Sequence, residues 1–316
     1  MIPISGGQMK TIPARLPLRN SIHLFLAAFG IILGFIVLSS CSSRETQVPT
    51  PSLKPKEVEI IRDVAYHSDG LEEHQLDVYL PNLIEGPFPT LLMIHGGSGQ
   101  KIDLSYWGQT MAKEGYAAIS IDHRQWPEHS YPDHIEDAFC ALAWIYSSAD
   151  LYELDTSNIF VLGHSAGGTL AAMIGVIKDP APYLEGCPQS LPEKDWVKGV
   201  IPFTGIFDYN TASQYSPSLE EYAVGLLGGS RQDIPDIWEK ASASSWIDGN
   251  EPPFLLIHGE DDQNINPQQS LDFASLIKTA GGEVELLLIP NADHNQIKSS
   301  PQSIEAVENF ISGIID

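Results

Sequence analysis

Two kinds of hydrophobic pattern divide the chain. Residues 57 to 66 and 74 to 80 alternate apolar and polar positions on either side of Ser68-Asp69-Gly70, which predicts an antiparallel hairpin at a sheet edge. Downstream the pattern changes to short continuous apolar runs at 90 to 94, 117 to 121, 158 to 162, 198 to 204, 254 to 257 and 284 to 289. Uninterrupted runs of that length predict strands covered on both faces, the parallel α/β arrangement. Amphipathic segments between them predict helices near 104 to 114, 133 to 147, 166 to 178, 268 to 280 and 301 to 314. The stretch between the strands at 198 and 254 is longer than a crossover needs. It is rich in aromatics, among them Phe207, Tyr209, Tyr215, Tyr222, Trp238 and Trp246, and predicts a cap-like insertion at about 208 to 250 over the carboxyl ends of the strands, where open α/β sheets bind ligands. The same aromatics could instead only pack that insertion onto the core.

Composition changes little in this picture. The 316 residues are 43% apolar and 18% charged, an ordinary globular balance, and no repeat of 20 to 50 residues suggests a solenoid or propeller. Charge narrows the partners. There are 17 Lys and Arg against 41 Asp and Glu, for a net charge of −24, so the surface repels phosphate backbones and nucleic-acid binding is not expected.

The N-terminus departs from the domain pattern. Lys10, Arg15 and Arg19 precede an uncharged stretch from Asn20 to Ser43 with an apolar centre at Leu24 to Leu38, followed by Ser39-Ser40-Cys41. This is the order of a signal peptide, with an uncleaved membrane anchor as the alternative. The ending resembles a bacterial lipobox, which implies a lipoprotein-type signal over 1–40 and a mature chain starting at a lipidated Cys41. The polar, Pro-rich segment 41–56 then reads as a tether for a domain over 57–316. Localisation in a bacterial cell envelope follows, and Ser42 after the Cys, by resemblance to Gram-negative lipoproteins, favours the outer membrane. Cys140 and Cys187 remain; an oxidising compartment permits them to pair, and two free buried thiols are the alternative.

The chemistry centres on Gly163-His164-Ser165-Ala166-Gly167. This G-x-S-x-G lies between a predicted strand and a small-residue helix, the context of a nucleophile elbow. Side chains at Gly163 or Gly167 would collide with neighbouring backbone on so sharp a turn. A serine hydroxyl needs a base, and the base an orienting acid, in the chain order Ser, acid, His. Only His258 and His294 follow Ser165, and His294 alone also follows an acid in a loop leaving a strand. His258, at a strand end, reads as structural. Glu260, Asp261 and Asp262 compete for the acid, with Asp262 deepest in its loop. His95-Gly96-Gly97-Ser98 follows another strand and can aim the N–H groups of Gly96 and Gly97, with that of Ala166, at an oxyanion.

Residues 57 to 314 resemble an α/β-hydrolase of the esterase/lipase group related to hormone-sensitive lipase, the bacterial feruloyl-type esterases and kynurenine formamidase. The likeness is carried by H-G-G-S at 95 to 98, D-H-R-Q-W-P-E-H at 122 to 129, G-H-S-A-G-G at 163 to 168, H-G-E-D-D-Q-N-I-N-P at 258 to 267 and A-D-H at 292 to 294. It implies the α/β-hydrolase fold, a mostly parallel central sheet with helices on both faces and a small cap insertion. It also implies a triad of Ser165, Asp262 and His294, with Arg124, Pro127 and Glu128 stabilising the oxyanion-side loop. Ser98 stands where that group has a third Gly and H-R-Q-W where it has Y-R-L-A; the tether is also expected to run directly into the first strands without the group's N-terminal helical cap, which suggests a more open site suited to small esters. The expected activity is hydrolysis of small carboxylic esters, without metal or cofactor, on a small-molecule substrate. An amidase or peptidase with the same triad, and a non-catalytic binding module, are the alternatives. Trp126 and the insertion's aromatics are candidate pocket walls.

Overall fold

The computed structural model describes residues 57–315, apart from Lys194 and Ser216. The expected signal, the tether and Cys41 lie outside the described residues. Eight strands form one sheet: β1 (Val58–Ala65), β2 (Gln75–Pro81), β3 (Phe88–Ile94), β4 (Ala117–Ile121), β5 (Leu154–His164), β6 (Gly199–Phe203), β7 (Phe254–Gly259) and β8 (Val284–Ile289). Their order is β1-β2-β4-β3-β5-β6-β7-β8. The β1–β2 hairpin is antiparallel and pairs antiparallel with β4. From β4 to β8 every pairing is parallel. The alternating segment thus makes the sheet edge, and the continuous apolar runs make its interior.

Those runs are apolar throughout because both faces of the sheet are covered. In β3, Leu92 and Ile94 enter one buried cluster with Phe139, Leu170 and Phe273, while Leu91 and Met93 enter a second with Trp107, Val307 and Phe310. The first cluster is closed by α2 (Asp133–Tyr152), α3 (Ala166–Val176) and α7 (Gln268–Ala280), the second by α1 (Ser105–Lys113) and α8 (Pro301–Ile315). Burying each large apolar side chain contributes about 1.5–3 kcal/mol, so a polar residue on either face of β3 would remove support from one whole layer. Two elements run beyond their expected ends. Helix α2 continues past Ser147-Ser148 to Tyr152, whose ring packs on Trp144 at 5.4 Å, and it stops at Glu153, which has a left-handed φ of 54°. Strand β5 starts early, where Leu154 and Asp155 pair with Phe88 and Pro89 before an irregularity in the register.

Between β6 and β7 lie α4 (Tyr209–Tyr215), α5 (Pro217–Leu227) and α6 (Pro235–Ala241). They have a small core of their own in which Ile206, Tyr209, Leu226, Trp238 and Ile265 are buried together. Ile265 follows β7, so the helices rest on the carboxyl end of the sheet. The open question of the cysteines is settled as a disulfide. Cys140 of α2 and Cys187, in the segment leading to β6, are joined with their Cα atoms 5.6 Å apart.

Candidate active site

Four strand ends supply the site. The segments leaving β3, β5, β7 and β8 carry His95 to Gly99, Ser165, Asp262 and His294, and the register places them at one edge: Ile94 pairs with Gly163, and Gly259 with Ile289. Ser165 links β5 to α3 with φ 58° and ψ −119°, a conformation that a residue with a side chain adopts only under constraint. The constraint is steric and local. A Cβ on Gly163 would strike the Gly167 carbonyl, and one on Gly167 would strike the backbone carbonyl of Ile94. Ser165 N–H donates to the Phe203 carbonyl at 2.9 Å, fixing the turn to β6.

The turn presents Ser165 to its partners. Its Oγ–H donates to Nε2 of His294 at 2.9 Å, and His294 Nδ1–H donates to Oδ2 of Asp262 at 2.7 Å. Asp262 is buried, and its Oδ1 accepts the backbone N–H groups of Asn264 and Ile265 at 2.8 and 3.0 Å. Burial alone would raise this carboxyl. Hydrogen bonds from His258, His294 and the Ile265 backbone outweigh that and hold it well below the usual carboxylate range, so Asp262 is an anion that orients the imidazole. Its two competitors, Glu260 and Asp261, are exposed. His258 is fully buried beneath Asp262, with Nε2–H on the Ile265 carbonyl at 2.9 Å and Nδ1 accepting from Ser270 Oγ at 2.7 Å. It shapes the loop that carries Asp262.

Gly96, Gly97 and Ala166 line the same cavity as Ser165 and His294. A Cβ on Gly96 would sit 3.0 Å from that of Ser165, so glycine lets this turn approach the Ser165 side chain. Ala166 begins α3, whose N-terminus directs the positive end of its dipole at the same place. Behind the turn, His95 stacks on His123 with ring centroids 4.4 Å apart. Burial, reinforced by the neighbouring His123, lowers His95 to about 3, so the ring is a neutral buttress there.

Arg124 anchors the adjoining loop. Its Nε and Nη2 bond Asp137 of α2 at 3.0 and 2.7 Å, its Nη2 reaches Glu136 at 3.1 Å, and its backbone N–H donates to Asp137 at 2.7 Å. The Trp126-Pro127 bond in this loop is cis. Glu128, expected to help hold the loop, is exposed; the contacts to α2 come from its neighbours Arg124 and His129, the latter with Nδ1 3.3 Å from Asp133 Oδ2. Trp126, a candidate pocket wall, packs edge-on against Tyr222 at 5.8 Å. Of the insertion's aromatics, Tyr209 and Tyr222 line the cavity, whereas Phe207 stacks on Phe273 and Trp238 is buried in the insertion's core.

One contributor was missed in the sequence. His164 Nε2–H donates to the backbone carbonyl of His294 at 2.7 Å, tying the His294 loop to the Ser165 turn. Burial lowers His164 to about 3, so it bonds as a neutral donor. Its only signal was a histidine at the variable position of G-x-S-x-G. Among the described residues, one group of metal-ligating side chains converges, His67, Asp69 and His74 at the β1–β2 turn, and none of the three lines this cavity.

A mostly parallel eight-stranded sheet with its elbow, acid and histidine loops at the carboxyl edge defines an α/β-hydrolase of the esterase/lipase kind. The chain belongs to the BD-FAE family, whose profile matches residues 76–277. Esterase LipQ of Mycobacterium tuberculosis is 29% identical over 268 residues, covering 80% of this chain and 62% of that protein. Esterase LipC of the same organism is 29% identical over 218 residues, 66% of this chain and 53% of that protein. The chain thus spans between half and two thirds of the length of these curated relatives. Among solved structures, a truncated form of a carbohydrate esterase from gut microbiota superposes with a TM-score of 0.69 at 25% identity, covering 83% of this chain and 98% of that one. Esterase B from Lactobacillus rhamnosis gives 0.71 at 21% identity over 82% of this chain and 86% of that one, a likeness of fold.

Proposed function

We propose that the protein hydrolyses small carboxylic esters through an acyl-enzyme formed on Ser165. The observation that carries this reading is the continuous relay Ser165–His294–Asp262, with hydrogen bonds of 2.9 and 2.7 Å, opening on a cavity of about 340 Å³. Ser165 Oγ attacks the ester carbonyl while His294 Nε2 takes its proton. Asp262 stabilises the resulting imidazolium, and the N–H groups of Gly96, Gly97 and Ala166 receive the oxyanion. His294 then protonates the departing alcohol, and water repeats the sequence to release the acid. Esterase names among the relatives support this chemistry over amide cleavage.

The cavity lining bears on the substrate. Ile206, Leu219 and Tyr222 offer a small apolar wall for a short acyl group, whereas Asp103, Asn264 and Lys298 offer polar contacts. That division suits a polar, hydroxylated alcohol such as a sugar, as does the likeness to a carbohydrate esterase. The test is initial-rate hydrolysis of p-nitrophenyl acetate, butyrate and decanoate, matched anilides and an acetylated oligosaccharide, beside Ser165→Ala. The reading predicts turnover of acetate and butyrate that falls at least about a thousandfold in the mutant. Equal rates in the two proteins on every substrate would overturn it.

For location, we propose an envelope lipoprotein anchored through Cys41. The Cys140–Cys187 disulfide supports export to an oxidising compartment. Among the described residues, no helix is long and apolar enough to cross a membrane. Mass spectrometry of the membrane-fraction protein should find a lipid-modified Cys41 as its first residue; a chain that retains residues 1–40 or carries no lipid there would refute the anchor.

A further inference from the structure

The β1–β2 turn gathers two imidazoles and a carboxylate in the sequence His67-x-Asp69-x4-His74. Nδ1 of His74 lies 2.8 Å from Asp69 Oδ2 and Nδ1 of His67 lies 3.1 Å from the same oxygen. All three donor atoms lie within 4.8 Å of one another. The opposite nitrogen of each ring is already committed. His67 Nε2 faces the Gly186 carbonyl at 2.8 Å, and His74 Nε2 faces Oδ1 of Asp137 at 2.9 Å. A carbonyl and a carboxylate can only accept, so both Nε2 atoms carry hydrogen. The backbone N–H of Asp69 also points at His67 Nδ1, at 3.3 Å, marking that nitrogen as a lone pair. His67 Nδ1 and His74 Nδ1 thus converge on one carboxylate oxygen; a proton on His74 would satisfy the His74–Asp69 contact alone, whereas a metal ion between them would engage all three donors.

We propose that His67 Nδ1, His74 Nδ1 and Asp69 bind one divalent transition-metal ion of the zinc type. The outer hydrogen bonds of the two histidines, to a backbone carbonyl and to a buried carboxylate, are those that fix the tautomer and orientation of metal-ligating imidazoles. Donors about 2.0–2.2 Å from a tetrahedral zinc stand roughly 3.3 Å apart, so the separations of 3.1 and 2.8 Å from the two rings to Asp69 need only small adjustment. Asp69 is exposed and His67 half-exposed, leaving access for the ion and for water as the fourth ligand. The site joins the hairpin, α2 through Asp137, and the Gly186 segment beside the disulfide. Asp137 also holds Arg124, so the metal braces the far end of the oxyanion-side loop. It is a structural site on a different set of residues from the proposed triad.

The test uses the full chain without a histidine tag, stripped with a chelator and titrated with Zn2+, beside His67→Ala and Asp69→Asn. Bound metal is counted by mass spectrometry, and Co2+ is substituted to read a tetrahedral ligand field in its visible spectrum. The expected result is one Zn2+ per chain, a tetrahedral Co2+ spectrum, and a rise in Tm of about 5 °C at a hundredfold excess over Kd. Both variants should bind at least tenfold more weakly while matching the wild type's Tm in chelator, since neither side chain is in the core. Substoichiometric binding to the wild type, or stoichiometric binding that either variant retains, would overturn the proposal. A variant whose chelated Tm falls is replaced by His67→Gln, judged by the same two criteria.

Discussion

Replacing Asp262 by Asn tests the relay at the atom where its direction is set. The carboxylate accepts from Asn264 N–H, Ile265 N–H and His294 Nδ1–H. An amide can keep the two backbone bonds through its oxygen, but its NH2 then faces His294 Nδ1. The imidazole must turn Nδ1 into an acceptor and carry its proton on Nε2, which points at Ser165 Oγ and can no longer take the serine's proton. The same NH2 meets His258 Nε2–H, 3.3 Å from the present Oδ2, and adds a donor–donor contact. A triad with its tautomer reversed loses about 10⁴-fold in kcat, or about 5.4 kcal/mol of transition-state stabilisation. The assay is the initial rate on p-nitrophenyl butyrate, with Ser165→Ala as the floor and Glu260→Gln and Asp261→Asn as controls. Both controls should stay within about twofold of wild type, since their carboxylates are exposed. An Asp262→Asn enzyme retaining more than about a tenth of the activity, or a comparable loss in either control, would refute the assignment.

Other consequences can be checked alongside. Gly167→Ala places a methyl against the Ile94 carbonyl and should abolish activity or soluble expression, whereas Gly313→Ala, where a Cβ meets nothing within 4 Å, should be neutral in both. Replacing Cys140 and Cys187 together by Ser opens a loop with a sequence separation of 47 and should cost up to about 4 kcal/mol in denaturant titration; an unchanged midpoint would show that the bridge constrains little. Acid should destabilise the fold below pH 6.5. Burial lowers His95 and His164 to about 3, so the unfolded chain binds protons that the folded one refuses. Their contribution is whole above the unfolded value of about 6.5 and falls with decreasing pH, by about 1.4 kcal/mol per pH unit for each ring. His74, which burial would lower but Asp137 and Asp69 raise, has its slope above pH 6.5 and does not offset this. Equal unfolding free energies at pH 6.5 and 5 would contradict the burial argument.

How much the sequence could reveal depended on how local each signal was. The parallel strands were legible because a strand buried on both faces has no polar position to spare, and the elbow because its glycines sit on either side of one serine. Asp262 could be separated from Glu260 and Asp261 because a loop turning back toward Ile265 buries its deepest residue. The role of His164 was not legible, since it depends on the carbonyl of a residue 130 positions later. Nor was the gathering at the hairpin turn. His67 and His74 are close in sequence, but the partners that orient them, Gly186 and Asp137, come from α2 and the segment before β6. The cysteines were undecided for the same reason: their spacing says nothing of how α2 meets that segment.

The positive φ of Ser165 has a consequence for how this protein would respond to selection. A strained residue of this kind costs about 1–3 kcal/mol, and glycine would release most of that while adding back less than about 1 in chain freedom. The more heat-resistant sequence at this position is therefore the one without the hydroxyl. Directed evolution scored on survival of heating alone would drift toward Ser165→Gly and lose the proposed reaction, while the same campaign scored on turnover would keep the weaker fold.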